Sequence, residues 1–420
     1  MDSTHAPLPE SMRPKRSASA LIFLIVFLDL LGVGLIVPLT PFIVERFNST
    51  GTAVAMLTMS YSAAQFLATP VLGVLSDRFG RRPVLLVSLL GSCGGYVLFA
   101  TAGTLPLLYV ARVIDGITGG NISTAQAYIA DVTPRKDRAK AYGLVGAAFG
   151  LGFMLGPAFS SLLSHLDLMA PVWAAAGLSL VTSGLVAALL PETLAPEARR
   201  KTPIGLGDLN PASVLVRTMR MPTVAVMLAA IFSAAFAHAE LRASLGVMLR
   251  DKFQFNEMHV GRVFTYIGLV AILVQGGLVR RVSPLIGDRR AVLFGLPLAV
   301  VGYALIPLAP AGQWWWLLAV LGLMGLGAGF AGPSLTGILS RAAPEGEEGQ
   351  VMGASQAVSA LALVCGPILA GPLYDGVGKG WPFWSAAGVV LVSLLIVAFL
   401  RIGKEGGGPE PLIAVEAEAV

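Results

Sequence analysis

Apolar runs of about 20 residues recur along this chain, about twelve of them, with short polar loops between. That is the length a helix needs to cross the hydrocarbon core of a bilayer. In lipid every backbone polar group must be satisfied internally, so only helices and closed barrels can span it. The runs are continuous rather than alternating, which excludes a barrel. The expectation is an all-α membrane protein with twelve transmembrane helices. The charge content agrees, at 13%, against about a quarter in a soluble domain.

The spans are expected at 18–44, 53–76, 83–102, 105–130, 140–164, 171–190, 222–249, 259–280, 290–309, 313–339, 351–373 and 381–401. A secretory signal is the rival reading of the first span. It is too long for the apolar core of one, and it contains Asp29. The 49 glycines and 27 prolines lie largely inside apolar runs, where membrane helices tolerate them. Cys93 and Cys365 both fall in spans and read as buried apolar residues, without a disulfide or a metal site.

Basic residues fix the orientation. With both termini cytoplasmic, 22 of the 29 Lys and Arg lie in cytoplasmic tails or loops, as the positive-inside rule asks. Arg46, Arg250, Lys252 and Lys379 lie outside. The net charge of +5 therefore has a topological explanation and does not imply nucleic acid. All six tryptophans fall at the outer starts of expected helices, which matches an interfacial belt.

The chain also repeats itself. At a constant offset of 210, Pro134 matches Pro344, Gly119 matches Gly329, Gly143 matches Gly353, and Gly156-Pro157 matches Gly366-Pro367. Two pseudo-symmetric six-helix halves follow, at 18–190 and 222–401, joined by a cytoplasmic linker at 191–221. Residues 1–17 and 402–420 form cytoplasmic tails. Parallel halves of this kind enclose a site near the bilayer midplane.

Asp29 lies about 16 Å into the first helix at 1.5 Å per residue. A carboxylate at that depth costs on the order of 2.5–3.5 kcal/mol on insertion scales. It must face a polar cavity, pair with a cation, or stay protonated. A proton site and a structural hydrogen bond between helices are both open readings. In the fourth span Arg112, Gly116, Gly119, Ser123 and Gln126 share a face by 3.6-residue spacing. Asp115 stands one turn from Arg112, placed to pair with it. Arg112 is either a substrate or coupling residue, or half of that structural pair.

In the seventh span His238 can titrate near neutral pH, beside Glu240 and Arg242. Tyr61, Gln65, Asn121, Gln126, His238, Gln275 and Gln356 are candidate cavity groups. The loop GVLSDRFGRRP, Gly73 to Pro83, is polar and basic between two spans, with a shorter echo at Gly287 to Arg290. Asp131 is the nearest expected partner of its arginines. The loop has a topogenic role, and salt bridges that form in one state and break in another would make it a gate. No phosphate-binding GxxxxGK[ST], HExxH or His/Cys cluster is present. The reading is a transporter without cofactor, driven by an ion gradient or passive, and not an enzyme.

These residues carry a resemblance. LDLLGVGLIVPLTP (28–41), GVLSDRFGRRP, LYVARVIDGITGG (108–120) and GLGFMLGP (150–157) resemble, in order and spacing, the signatures of the major facilitator superfamily. Within it they look like those of the twelve-helix drug:proton antiporters. The resemblance implies alternating access and a proton gradient as energy source. It implies a cytoplasmic gate built from Gly73, Asp77, Arg78, Gly80, Arg81, Arg82 and Asp131. It further implies proton coupling through Asp29, Arg112 and Asp115, and an antiporter motif at Gly152, Gly156 and Pro157. Expected partners are a small amphipathic substrate, the proton and the lipid of the inner cell membrane, with the protein a monomer. The tetracycline/proton antiporters are the most similar branch. They carry an acid before a tyrosine in the third helix, where this chain has Gly94-Gly95-Tyr96. Ser160 and Ser161 also stand where glycine is usual. A broader or different amphipathic drug follows. Two other readings are a sugar or organic-acid carrier and a non-transporting sensor on the same scaffold.

Overall fold

The structure is a computed structural model. It describes residues 16–47, 50–133, 138–202, 205, 218–344 and 347–399. Residues 1–15, the C-terminal tail, residues 203–204 and 206–217 of the linker, and the Pro134 half of one repeat match lie outside the described residues. Among the described residues the chain is helical and contains no strand.

The helices are α1 (Arg16–Ile36), α2 (Thr40–Glu45), α3 (Gly51–Phe79), α4 (Arg81–Thr101), α5 (Leu105–Gly119), α6 (Ile122–Val132), α7 (Arg138–Leu163) and α8 (Ala170–Leu189). There follow α9 (Pro222–Phe253), α10 (Glu257–Ile272), α11 (Arg280–Ile286), α12 (Asp288–Leu305), α13 (Trp314–Ala342), α14 (Glu348–Pro372) and α15 (Trp381–Phe399). Proline stands in the first turn of α5, α8 and α9, where its missing N–H costs no intrahelical bond. Asn256 caps α10 by accepting from the backbone N–H of His259 at 3.0 Å.

Two expected spans are broken. The first, 18–44, divides at a 3-10 turn over Val37–Leu39, because Pro38 has no N–H to continue the ladder. The fourth, 105–130, divides at Gly120 and Asn121 between α5 and α6. The single face expected from Arg112 to Gln126 therefore ends at Gly119. Two π-helical segments, Leu273–Val279 and Leu373–Val377, follow α10 and α14.

Nine helical segments are long and apolar enough to cross a membrane among the described residues. The blocks at 53–76, 105–130 and 140–164 bring the total to twelve: α3, the broken pair α5–α6, and α7 with its apolar stretch Ala147–Leu163. Exposed Leu, Val, Phe and Trp side chains lie along these helices, among them Leu67, Val87, Leu162, Leu180 and Trp314. Lipid is the medium that such surfaces fit.

The chain forms two compact units. Unit 1 is Met1–Pro38 with Ala64–Asn210, and unit 2 is Leu39–Ala63 with Pro211–Val420. The same packing recurs in each. In unit 1, α1 packs on α7, and α4 packs on α5 and α8. In unit 2, α9 packs on α14, and α12 packs on α13 and α15. Unit 1 has a core of Ile22, Ile25, Leu85, Leu89, Tyr128 and Val186 with their neighbours. α1 and α7 approach one another closely: a Cβ on Gly156 would sit 2.6 Å from the Cα of Gly34. Small residues allow this contact.

Candidate functional site

The first cluster lies inside unit 1. α5 buries Arg112 and Asp115, one turn apart, with relative exposures of 9% and 2%. Arg112 Nη1 donates to Asp115 Oδ2 at 2.7 Å. The guanidinium also lies 5.9 Å from the centre of the Phe99 ring, within cation–π range. Tyr96 and Ser92 of α4 turn their hydroxyls to Asp115, and Ser92 and Thr118 share a hydrogen bond of 2.9 Å. Asp29 of α1 lies within electrostatic reach of Asp115 and is hydrogen-bonded by the buried side chain of Asn121. Asn121 sits where α5 gives way to α6, so the helix break brings an amide to Asp29.

Asp29, Asp115, Arg112 and Asn121 are thus brought together, and Tyr96 joins them. Gly94-Gly95-Tyr96 gains a physical meaning here. A Cβ on Gly95 would lie 3.2 Å from the Cβ of Asp115, so Asp115 occupies the space beside α4. Two carboxyls and one guanidinium give this cluster one more acid than base. Such a group can carry a proton without leaving an unbalanced charge in the membrane interior.

The second cluster lies at the α3–α4 turn of unit 1. Arg81 is buried. Its Nη1 donates to Asp77 Oδ1 at 2.5 Å and to Ser76 Oγ at 2.6 Å, and its Nε donates to Asp131 Oδ2 at 3.1 Å. Glu192, just past α8, accepts from the backbone N–H of Arg81 at 2.9 Å and of Arg82 at 3.1 Å. It therefore caps α4, filling the role of an N-cap side chain. Gly80 makes room for it: its φ is +105°, and a Cβ there would strike the Glu192 carboxylate. Thr193 Oγ1 donates to the same Asp131 oxygen at 3.0 Å. Arg82 donates to the Ala187 carbonyl. Arg78 is exposed, with its guanidinium over the Phe79 ring. Gly73 lies against Ser123.

Unit 2 holds the echo of this turn. Asp288 accepts from Ser283 Oγ at 2.8 Å and pairs with Arg341 at 2.5 Å. Elsewhere in unit 2, Asp375 accepts from Thr52 N and Thr52 Oγ1, each at 2.6 Å, and from Gly51 N at 3.2 Å. Tyr374 donates to Asp251 at 3.0 Å.

The expected cavity groups are dispersed. Gln65 Nε2 donates to the Gly119 carbonyl at 2.9 Å within unit 1. Gln126 and Tyr61 are half-buried. His238, Gln275 and Gln356 are exposed on three elements of unit 2, and no hydrogen bond joins them. Gly152 and Gly156 pack against Leu30 and Gly34 of α1, and Pro157 touches the same contact. Sequence reasoning missed Glu192, Tyr96 and Asp375. The Pro191-Glu192-Thr193 run ending the sixth apolar block was the available signal for Glu192. The other two are recognisable only by contact.

The family model described as Major Facilitator Superfamily matches residues 22–312 and 281–418. Among curated relatives, the class C tetracycline resistance protein of Escherichia coli is 34% identical over 372 residues, covering 87% of this chain and 92% of that protein. Major facilitator superfamily domain-containing protein 10 of Homo sapiens is 30% identical, covering 94% and 95%. The crystal structure of the human organic anion transporter MFSD10 superposes with a TM-score of 0.71 at 28% identity, covering 91% of this chain and 99% of that one.

Proposed function

We propose that this chain, which belongs to the Major Facilitator Superfamily, exports small amphipathic compounds from the cell in exchange for protons. Its coarser assignment needs no proposal: it is a multi-pass membrane transporter of small molecules and not an enzyme. The finer reading rests on one observation. The first cluster of unit 1 holds two carboxyls, Asp29 and Asp115, against one arginine, Arg112. Asp115 is committed to Arg112, so Asp29 is the acid free to exchange its proton. Burial disfavours a bare carboxylate. Asp29 therefore takes a proton in one state and yields it when substrate or water replaces it. Each charge falling through 100 mV supplies about 2.3 kcal/mol, enough to drive about fifty-fold accumulation at 1.4 kcal/mol per decade.

The similarity to tetracycline resistance proteins supports a drug as cargo. In this reading both termini face the cytoplasm, and the Arg81 cluster stabilises the closed cytoplasmic side during alternating access. The test is transport in proteoliposomes under an imposed pH gradient. Asp29→Asn should abolish uphill transport while leaving exchange at equal pH. Full gradient-driven transport by that variant would remove Asp29 from the coupling role. A second reading, carriage of an organic anion, draws on the similarity to the human transporter and on Arg112. A thermal-shift screen responding only to small acids would favour it.

A further inference from the structure

Unit 2 contains a carboxyl that the mechanism above does not use. Glu240 lies in the middle of α9 and is fully buried, at 0% exposure. Neither of its carboxylate oxygens has a hydrogen-bond partner. The polar groups near it are the Ser385 hydroxyl of α15, close but without hydrogen-bond geometry, and the Tyr303 phenol of α12. α14 approaches the backbone of α9 here, with Gly366 packed against the Glu240 amide. On α9 itself, His238 and Arg242 stand two residues to either side and interact with one another. Tyr303 is thus the titratable group that faces Glu240 from a neighbouring helix. No arginine, lysine or histidine pairs with it among the described residues.

A buried carboxylate with no counter-ion and no donor is the least favourable state a side chain can have in this setting. The neutral acid removes the charge and leaves only modest desolvation. A metal cation would need several further oxygen ligands, which the site does not offer. A substrate would need open volume beside the side chain. A proton needs neither.

We propose that Glu240 is a second proton site, carried by unit 2, which holds its proton in the conformation described here and yields it to water when α9 and α14 part. In that step the carboxyl O–H breaks, water takes the proton as hydronium, and the carboxylate is left hydrated. The hinge for the parting is at hand: Pro367 frees the carbonyl of Leu363 on α14, beside the close contact at Gly366. Glu240 does not duplicate Asp29. In unit 1 the matching close contact falls at Gly34, more than a turn beyond Asp29. The proposal rests on the reading that transport is proton-coupled, and its test is separable from that reading.

The experiment is infrared difference spectroscopy of the full-length protein in lipid nanodiscs, titrated with pH and compared with Glu240→Gln and Asp29→Asn. The parent should show a protonated-carboxyl band that Glu240→Gln loses and Asp29→Asn retains. Persistence of every carboxyl band in Glu240→Gln overturns the proposal, whatever Asp29→Asn does in transport. Should Glu240→Gln fail to fold, Glu240→Asp keeps a carboxyl on a shorter side chain and must shift the band. An unmoved band there overturns it equally.

Discussion

Asp131 and Arg341 stand 210 positions apart, at equivalent helix ends, and carry opposite charge in opposite pairs. Asp131 accepts from Arg81 at 3.1 Å in unit 1, and Arg341 donates to Asp288 at 2.5 Å in unit 2. The repeat thus preserves a salt bridge between the same two helix ends while reversing its polarity. The unit 1 version is more deeply embedded, because Arg81 is 9% exposed and its guanidinium serves three acceptors. A double-mutant cycle of Arg81→Ala and Asp131→Asn should give a coupling energy of about 0.5–3 kcal/mol in unfolding measurements. Exchanging the two residues should not restore stability, since Asp77 would then face an aspartate.

Glu192 holds the start of α4 through two backbone N–H groups. Glu192→Ala should cost about 0.5–2 kcal/mol, the range for loss of an N-cap. Gly80→Ala should cost at least as much, because it adds a strained φ to a clash with the same carboxylate. Both are read as lowered midpoints in thermal unfolding of the solubilised protein.

The number and order of the helices were legible because bilayer thickness imposes one length on every apolar run. The duplication was legible because glycine and proline positions recur at constant offset. The α3–α4 turn was legible as a basic loop, and Asp131 as its partner, because charge is sparse and each charged residue has few possible partners. Glu192 was not: the Pro191-Glu192-Thr193 run marks the end of a helix, but nothing local says that its carboxylate caps a helix start 110 positions away. The break between α5 and α6 also escaped. A 3.6-residue period continues through Gly119 and Gly120 on paper, whereas two adjacent glycines lower the cost of stopping the helix. Tyr96 escaped for a related reason: its role depends on Gly95 leaving room for Asp115, which is a packing fact.

The π-helical segment Leu373–Val377 aims Asp375 at the first turn of α3. Insertions of this kind gather at functional positions. Asp375→Ala should remove three hydrogen bonds at once and expose the Gly51 and Thr52 amides to exchange. Thr52→Ala removes only the hydroxyl contact and should retain most amide protection. Hydrogen-exchange rates at these two amides measure the difference, and equal rates in both variants would show that Asp375 is not the cap.

Arg112 and Asp115 offer a separation of structural from coupling roles. Arg112→Ala leaves the Asp115 carboxylate buried at 2% exposure without its cation. Breaking one side of such a pair typically costs about 3–5 kcal/mol. Arg112→Ala/Asp115→Asn removes both charges, and the Tyr96 and Ser92 hydroxyls can still donate to the amide oxygen. The double variant should recover most of the lost stability. If Arg112 acts only as half of this pair, the double variant should also regain gradient-driven transport. If it governs proton exchange at Asp29, folding returns and transport does not. Melting temperature and pH-gradient transport, measured on the same four proteins of the cycle, distinguish the two.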